Sequence, residues 1–214
     1  MTRIVVVSIG PGSLDYITEA ARKRLQESDL ILGSIRQIED IKRICSQECH
    51  LHIYKKITEI KTVIEENATK QISILVSGDS GYYSLVPYLQ KVLAEKFDII
   101  PGLSSFQYLF SKIGENWQEY RLGSVHGRKL DYLQVLAAEN KGLILLTDEK
   151  ENPKKIAKEL YEKGFRGIEL IIGENLSYEN EKISFYFIED WKQMPEYFEM
   201  NVCICKKGEN YAYL

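Results

Sequence analysis

A two-domain α/β fold is what this sequence predicts: an N-terminal, mostly parallel sheet wrapped by helices, then a C-terminal mixed sheet, with a cleft between the two. Three observations carry the prediction. In the first half, short β-branched runs alternate with stretches of helical apolar spacing, the pattern of a parallel sheet with crossover helices. Three of those runs end at a glycine turn, and a helix opens within a few residues. In the second half the last strands follow one another with little helix between them, which implies antiparallel pairing. The polar stretch from Gly114 to Tyr120 lacks periodicity and marks the boundary, giving domains of 1–115 and 116–214. A chain of 214 residues suits one large domain or two small ones at about 100–200 residues per domain.

Each element has its own signal. Arg3 to Ile9 is the first strand, followed by Gly10-Pro11-Gly12 and a helix to about Glu27 with Ile17, Ala20, Ala21 and Leu25 on one face. Leu30 to Leu32 is a short second strand, and Ser34 is a good N-cap for a helix through Ile44 in which Ile35, Ile38, Ile41 and Ile44 keep a helical period. His50 to Tyr54 reads as an edge strand and Ile57 to Glu66 as a helix. Ile72 to Ser77 is a nearly continuous apolar run, as in a strand buried on both faces, and it runs into Gly78-Asp79-Ser80-Gly81. A helix over Leu85 to Ala94 leads to the strand Phe97 to Ile100, which stops at Pro101-Gly102 before Ser104 and Ser105 open a helix through Lys112. Beyond the boundary, the strand Arg121 to Val125 meets His126-Gly127-Arg128, and the helix Leu130 to Ala138 and the strand Gly142 to Thr147 follow. Pro153 starts a helix through Glu162, where its missing N–H costs nothing. The strands Ile168 to Ile172, Ile183 to Ile188 and Val202 to Lys206 complete the chain.

Composition narrows the function classes. The chain carries 28 Lys+Arg against 31 Asp+Glu, a formal net charge of −3, which argues against a general nucleic-acid binder. No apolar run approaches the ~20 residues of a membrane helix, and Ile4 to Ile9 is too short for a signal-peptide core of roughly 7–15 residues. A cytoplasmic protein without membrane or nucleic-acid partners is expected. Cys45, Cys49, His50 and His52 invite a zinc reading, but a Cys-x-x-x-Cys followed at once by His-x-His strains the ligand geometry, and no metal is expected. Cys203 and Cys205 alternate with Val202 and Ile204 as small buried hydrophobes of a strand.

The glycine turns at strand ends are the place to look for a ligand, since open α/β sheets bind outside the carboxyl ends of their strands. Gly10-Pro11-Gly12 has the first two glycines of a dinucleotide fingerprint, but Asp15 stands where the third belongs and Pro11 removes an N–H. No Gly-Lys-Ser/Thr of a P-loop is present. A diphosphate is therefore a poor guest, whereas a neutral or cationic ligand fits. In the second turn, Asp79 can accept hydrogen bonds from an amine or hydroxyl ligand, Gly81 allows close approach, and Tyr82 and Tyr83 can cover a ring. Asp79 or Ser80 can equally serve as a helix N-cap. Ser104 and Ser105 can cap a helix or touch a ligand. His126-Gly127-Arg128-Lys129, with Arg121 before it and Arg36 after the second strand, reads either as a carboxylate clamp or as a solvated basic surface.

In order and spacing, Ile9-Gly10-Pro11-Gly12, Thr18 and Ala20, Leu32-Gly33, Gly78-Asp79-Ser80-Gly81 and Pro101-Gly102-Leu103-Ser104-Ser105 resemble the tetrapyrrole (corrin/porphyrin) methylases. With Ser124-Val125-His126-Gly127-Arg128 and Gly173-Glu174-Asn175-Leu176, the resemblance is strongest to the branch that methylates meso carbon C-5 of precorrin-7 or cobalt-precorrin-7 in cobalamin biosynthesis. The departure is Ser80, where many members have proline. The resemblance implies an S-adenosyl-L-methionine-dependent C-methyltransferase and a homodimer, with an acidic tetrapyrrole substrate and a separate protein for C-15 methylation and decarboxylation. It implies cofactor contacts by Gly10, Pro11, Gly78, Asp79, Ser80, Gly81, Tyr82, Ser104, Ser105 and Thr147. His126 and Arg128 then act on the substrate, orienting it and, through His126, handling a proton. The rivals are a uroporphyrinogen III, rRNA or diphthine methyltransferase of the same family, a nucleotide-phosphate enzyme, and a non-catalytic metal-binding module on Cys45 to His52.

Overall fold

In the computed structural model, which describes residues 2–127 and 130–213, the first sheet is built around β1 (Ile4–Ser8), buried at every position. Its other strands are β2 (Leu30–Gly33), β3 (His50–Ile53), β4 (Ile72–Val76) and β5 (Phe97–Ile100), in the order β3-β2-β4-β1-β5. All neighbours pair in parallel, with Ile4 opposite Ile72 and Phe97. Strands covered on both faces must be apolar throughout, which is why β1 and β4 read as continuous runs. On one face Val5, Val7, Ile31 and Leu75 pack with Ala21 and Leu25 of α1 (Glu19–Gln26) and Ile38 and Ile41 of α2 (Ile35–Ile41). On the other, Ile4, Val6, Leu32 and Ile74 pack with Ile60 and Ile64 of α3 (Glu59–Glu66) and Leu89 of α4 (Val86–Val92).

The first helix differs from its sequence expectation. It starts at Glu19, after a 3-10 turn at Leu14–Tyr16, because Thr18 is extended and its Oγ1 accepts the Ala21 N–H at 3.2 Å. A side chain that satisfies an orphan amide fixes the helix start there. Ser34 does the same for α2 with a reciprocal partner: the Gln37 side chain accepts the Ser34 N–H at 2.8 Å while Ser34 Oγ accepts the Gln37 N–H. Ser34→Ala is expected to cost about 1 kcal/mol of stability, measured by urea denaturation.

The chain divides into the compact units Met1–Ser105 and Phe106–Leu214, whereas the expected boundary after residue 115 lies beyond α5 (Ser105–Ile113). The body of α5 belongs with the second unit, where Phe110 meets Tyr120 edge to face at 5.0 Å. That unit contains β6 (Tyr120–Ser124), α6 (Tyr132–Ala137), β7 (Gly142–Leu146), α7 (Pro153–Glu162), β8 (Phe165–Glu174), β9 (Lys182–Phe187) and β10 (Asn201–Tyr213), with a 3-10 helix at Ile188–Gln193. The sheet order is β6-β7-β10-β8-β9, parallel between β6 and β7 and antiparallel elsewhere, so it is mixed. Leu143, Leu145, Leu170, Ile172, Cys203 and Cys205 form one core with Leu136, Ile156 and Leu160, and both cysteines are free and buried. β8 and β10 extend past their apolar cores. Their pairing continues through an irregularity between Lys207 and Ala212, and Phe165 stacks on Tyr213 at 4.5 Å.

Candidate active site

The parallel strands of the first unit deliver three turns to one edge. Gly10 and Gly78 bridge reciprocally: the Gly10 N–H donates to Gly78 O at 3.2 Å and the Gly78 N–H to Gly10 O at 2.7 Å. Both glycines are left-handed, at φ +76° and +66°, a conformation that penalises any side chain. The Ser80 N–H donates to Ser8 Oγ at 3.0 Å, and both serines are buried. Asp79 joins two turns: Oδ1 accepts the Gly81 N–H at 2.8 Å and Oδ2 the Gly102 N–H at 3.2 Å. A Cβ on Gly102 would lie 2.7 Å from Gly78 O and 2.8 Å from Ser8 Cβ. Ser104 is buried beside Gly78, and Ser105 is the first residue of α5. Tyr82 and Tyr83 meet edge to face at 4.9 Å, with Tyr83 exposed and held at φ +47°.

Gly10, Gly78, Asp79, Ser80, Gly81 and Ser104 thus come together, with Pro11 buried next to Gly10 and Tyr82 next to Gly81. The capping alternative for Asp79 and Ser80 is corrected, because the next helix, α4, starts only at Val86 with Leu85 as its N-cap. Asp79 instead braces two loops. Sequence reasoning missed Ser8 as part of the candidate site and read Gly102 only as the stop of the third turn. The signal for Ser8 was its place as the one polar residue in the run Ile4 to Ile9.

A second polar group lies at the end of β7 and β6. Thr147 is buried and its Oγ1 donates to Asn201 Oδ1 at 2.7 Å. The Thr147 carbonyl lies 3.2 Å from His126 Nδ1. A carbonyl only accepts, so Nδ1 of the exposed imidazole is the donor in this contact and Nε2 is left without a part in it. Asp148, also missed, holds this loop by accepting the Gly127 N–H at 2.9 Å and the Lys150 and Glu151 N–H groups, each at 2.9 Å. The Glu151 and Gly127 amides pull its carboxyl below the usual range. Arg128 lies outside the described residues, and Arg121 is exposed near the N-terminal end of β6. As for the zinc reading, burial pushes the Cys45 thiol up to about 12, so it stays protonated near neutral pH. Among the described residues no three His, Cys, Asp or Glu side chains converge as a metal site.

Residues 3–190 match the family model of the tetrapyrrole (corrin/porphyrin) methylases. The chain belongs to this family. A protein of Methanocaldococcus jannaschii named Probable cobalt-precorrin-7 C(5)-methyltransferase is 31% identical to this tetrapyrrole methylase over 96% of this chain and 99% of its own length. The cobalt-precorrin-7 C(5)-methyltransferase of Salmonella typhimurium is 30% identical, over 84% of this chain and 88% of its own length. Among solved structures, the uroporphyrin-III C-methyl transferase of Thermus thermophilus complexed with S-adenyl homocysteine shares the fold at a TM-score of 0.77 and 20% identity, covering 96% of this chain and 97% of that one. A tetrapyrrole methylase fold accounts for the parallel and the mixed sheet.

Proposed function

We propose that this tetrapyrrole methylase is an S-adenosylmethionine-dependent C-methyltransferase of cobalamin biosynthesis, acting at meso carbon C-5 of cobalt-precorrin-7 or precorrin-7. The observation that carries the cofactor assignment is where the amides of the three turns go. Phosphate-binding loops aim backbone N–H groups at their ligand. Here the amides of Gly10, Gly78, Ser80, Gly81 and Gly102 all donate within the protein, and Pro11 has none. These amides are therefore spent, while Asp79 keeps acceptor capacity, since a carboxylate offers about four lone-pair sites and two accept the Gly81 and Gly102 amides. Such a cradle suits a cationic, hydroxyl-bearing ligand without phosphate, and S-adenosylmethionine is one.

Gly10, Pro11, Gly78, Asp79, Ser80, Gly81, Tyr82, Ser104 and Ser105 would hold the cofactor, which supplies an electrophilic methyl group on a sulfonium. The left-handed glycines let backbone approach the ligand closely, and Asp79 orients it by accepting its donors. His126, with Nδ1–H on the Thr147 carbonyl, offers Nε2 to take a proton from the substrate. The substrate carbon is assigned from the two relatives named for C(5). The relative matched over 99% of its length is named for C(5) alone, which supports a separate protein for the C-15 methylation and decarboxylation. A homodimer is proposed as well, since the edge strand β9 exposes Phe185 and Phe187, apolar surface that a second copy would cover. Four free thiols fit a cytoplasmic location.

Calorimetry with S-adenosylhomocysteine tests the cofactor assignment. Stoichiometric binding is expected, with no heat from NAD or ATP under the same conditions; a folded protein that takes the nucleotides and ignores S-adenosylhomocysteine would refute it. Mass spectrometry of cobalt-precorrin-7 after incubation with S-adenosylmethionine should show the gain of one methyl group.

A further inference from the structure

We propose that Arg36 is a carboxylate-binding residue for the tetrapyrrole, a reading that rests on the methyltransferase function above. Its place follows from local chemistry. The Ser34–Gln37 capping box starts α2 directly after β2, so Arg36 falls in the first turn of the helix. β2 and β4 are parallel neighbours, and their carboxyl ends share the edge that carries the glycine turns. There Arg36 Nη2 donates to Ser77 Oγ at 2.8 Å, and Gln37 Nε2 donates to the same hydroxyl at 3.0 Å. Ser77 is the residue immediately before Gly78, so the guanidinium is pinned beside the second turn.

Two features separate this arginine from an ordinary surface cation. A positive charge in the first turn of a helix opposes the helix dipole, which favours anions there. Nη1 also pairs with Asp40 Oδ2 at 3.5 Å, a carboxylate whose side chain is only 10% exposed. Meanwhile 39% of the Arg36 side chain is exposed, and its direction is held by Ser77 beside the second turn. A prepositioned guanidinium with an accessible face is a receptor for carboxylate, which it can grip with paired N–H groups. Tetrapyrrole precursors carry acetate and propionate groups around the ring, and S-adenosylmethionine contributes only a single carboxylate. Among the three arginines that the sequence singles out, Arg121 lies toward the opposite end of its strand and Arg128 is outside the described residues.

The test uses Arg36→Gln and Arg36→Lys in the full chain. Cobalt-precorrin-7 is titrated, by its visible absorption, into protein saturated with S-adenosylhomocysteine, and S-adenosylhomocysteine affinity is measured separately by calorimetry. We expect Arg36→Gln to weaken corrin binding by about tenfold or more, with a smaller loss for Arg36→Lys, which keeps the charge without the fork. Affinity for S-adenosylhomocysteine should stay within about twofold, and in turnover the loss should fall on KM rather than kcat. Unchanged corrin binding by Arg36→Gln overturns the Arg36 assignment and leaves the methyltransferase reading standing. Parallel loss of both ligands also overturns it, since Arg36 would then act only by shaping the turn through Ser77. If the parent protein binds neither ligand, the functional reading itself fails.

Discussion

Replacing Gly102 with alanine is expected to leave a folded protein that no longer binds S-adenosylhomocysteine measurably, a loss of more than about 100-fold. The added Cβ would sit 2.7 Å from Gly78 O, 2.8 Å from Ser8 Cβ and 3.2 Å from Ser8 O. None of these can yield by rotating a flexible side chain. Ser8 is buried at the end of β1, and the Gly78 carbonyl is held by the Gly10 amide. The third turn must therefore move away from the other two, and the Gly102 N–H bond to Asp79 is lost with it. Overpacking of this kind costs about 1–3 kcal/mol of stability. The affinity loss is larger because a site displaced by an ångström forfeits its aligned contacts. Urea denaturation and calorimetry on the same preparation separate the two effects. Gly114→Ala is the matched control: at φ +71° with open space around its Cβ position, it carries backbone strain and no collision. It should lose about 1–2 kcal/mol and bind normally. Tight binding by Gly102→Ala would mean that the three turns do not act as one site.

Asp79→Ala is the second large effect, with an expected fall of about 30–100-fold in S-adenosylhomocysteine affinity and about 2 kcal/mol in stability. The carboxylate accepts the Gly81 and Gly102 amides, and alanine leaves both without their partner. Hydrogen bonds to a charged group contribute about 1.5–3 kcal/mol each, and the exposure of this turn returns part of that through water. Asp79→Asn discriminates between bracing and ligand contact. Its one oxygen can accept only one of the two amides, and its NH₂ would face the other. Stability should fall part of the way, and affinity nearly as far as in alanine, because the negative charge offered to the cofactor is gone. Undiminished binding by Asp79→Ala would remove the residue from the site.

Much of this architecture was legible in local pattern. Every strand of both sheets overlaps a run that the sequence marks out, because β-branched and apolar residues report burial directly. The glycine turns were equally visible, since left-handed backbone demands glycine wherever the bridge between Gly10 and Gly78 forms. The start of α1 was misjudged because Thr18 lies inside an otherwise helical apolar spacing, and its capping bond overrides that spacing. The extra lengths of β8 and β10 were hidden because their outer residues are polar or aromatic and owe their strand conformation to each other. Asp148 gave no signal at all: it lies after a strand among other charged residues, and its role appears only once the Gly127 amide is seen to donate to it.

The sequence by itself determined the fold class, the family and the sheet edge to which the glycine turns belong, because periodicity, turn chemistry and motif order are properties of neighbouring residues. Tertiary structure decided which groups are already spent and which remain for a ligand. The Ser80 amide finds Ser8 across 72 residues and the Asp79 carboxylate finds the Gly102 amide across 23. Contacts at such separations arise only when parallel pairing carries strand ends to a common edge. The same pairing turned Asp79 from a free acceptor into a brace that keeps part of its acceptor capacity. It also placed Arg36 beside Ser77, at the mouth of a turn that lies 41 residues further along the chain.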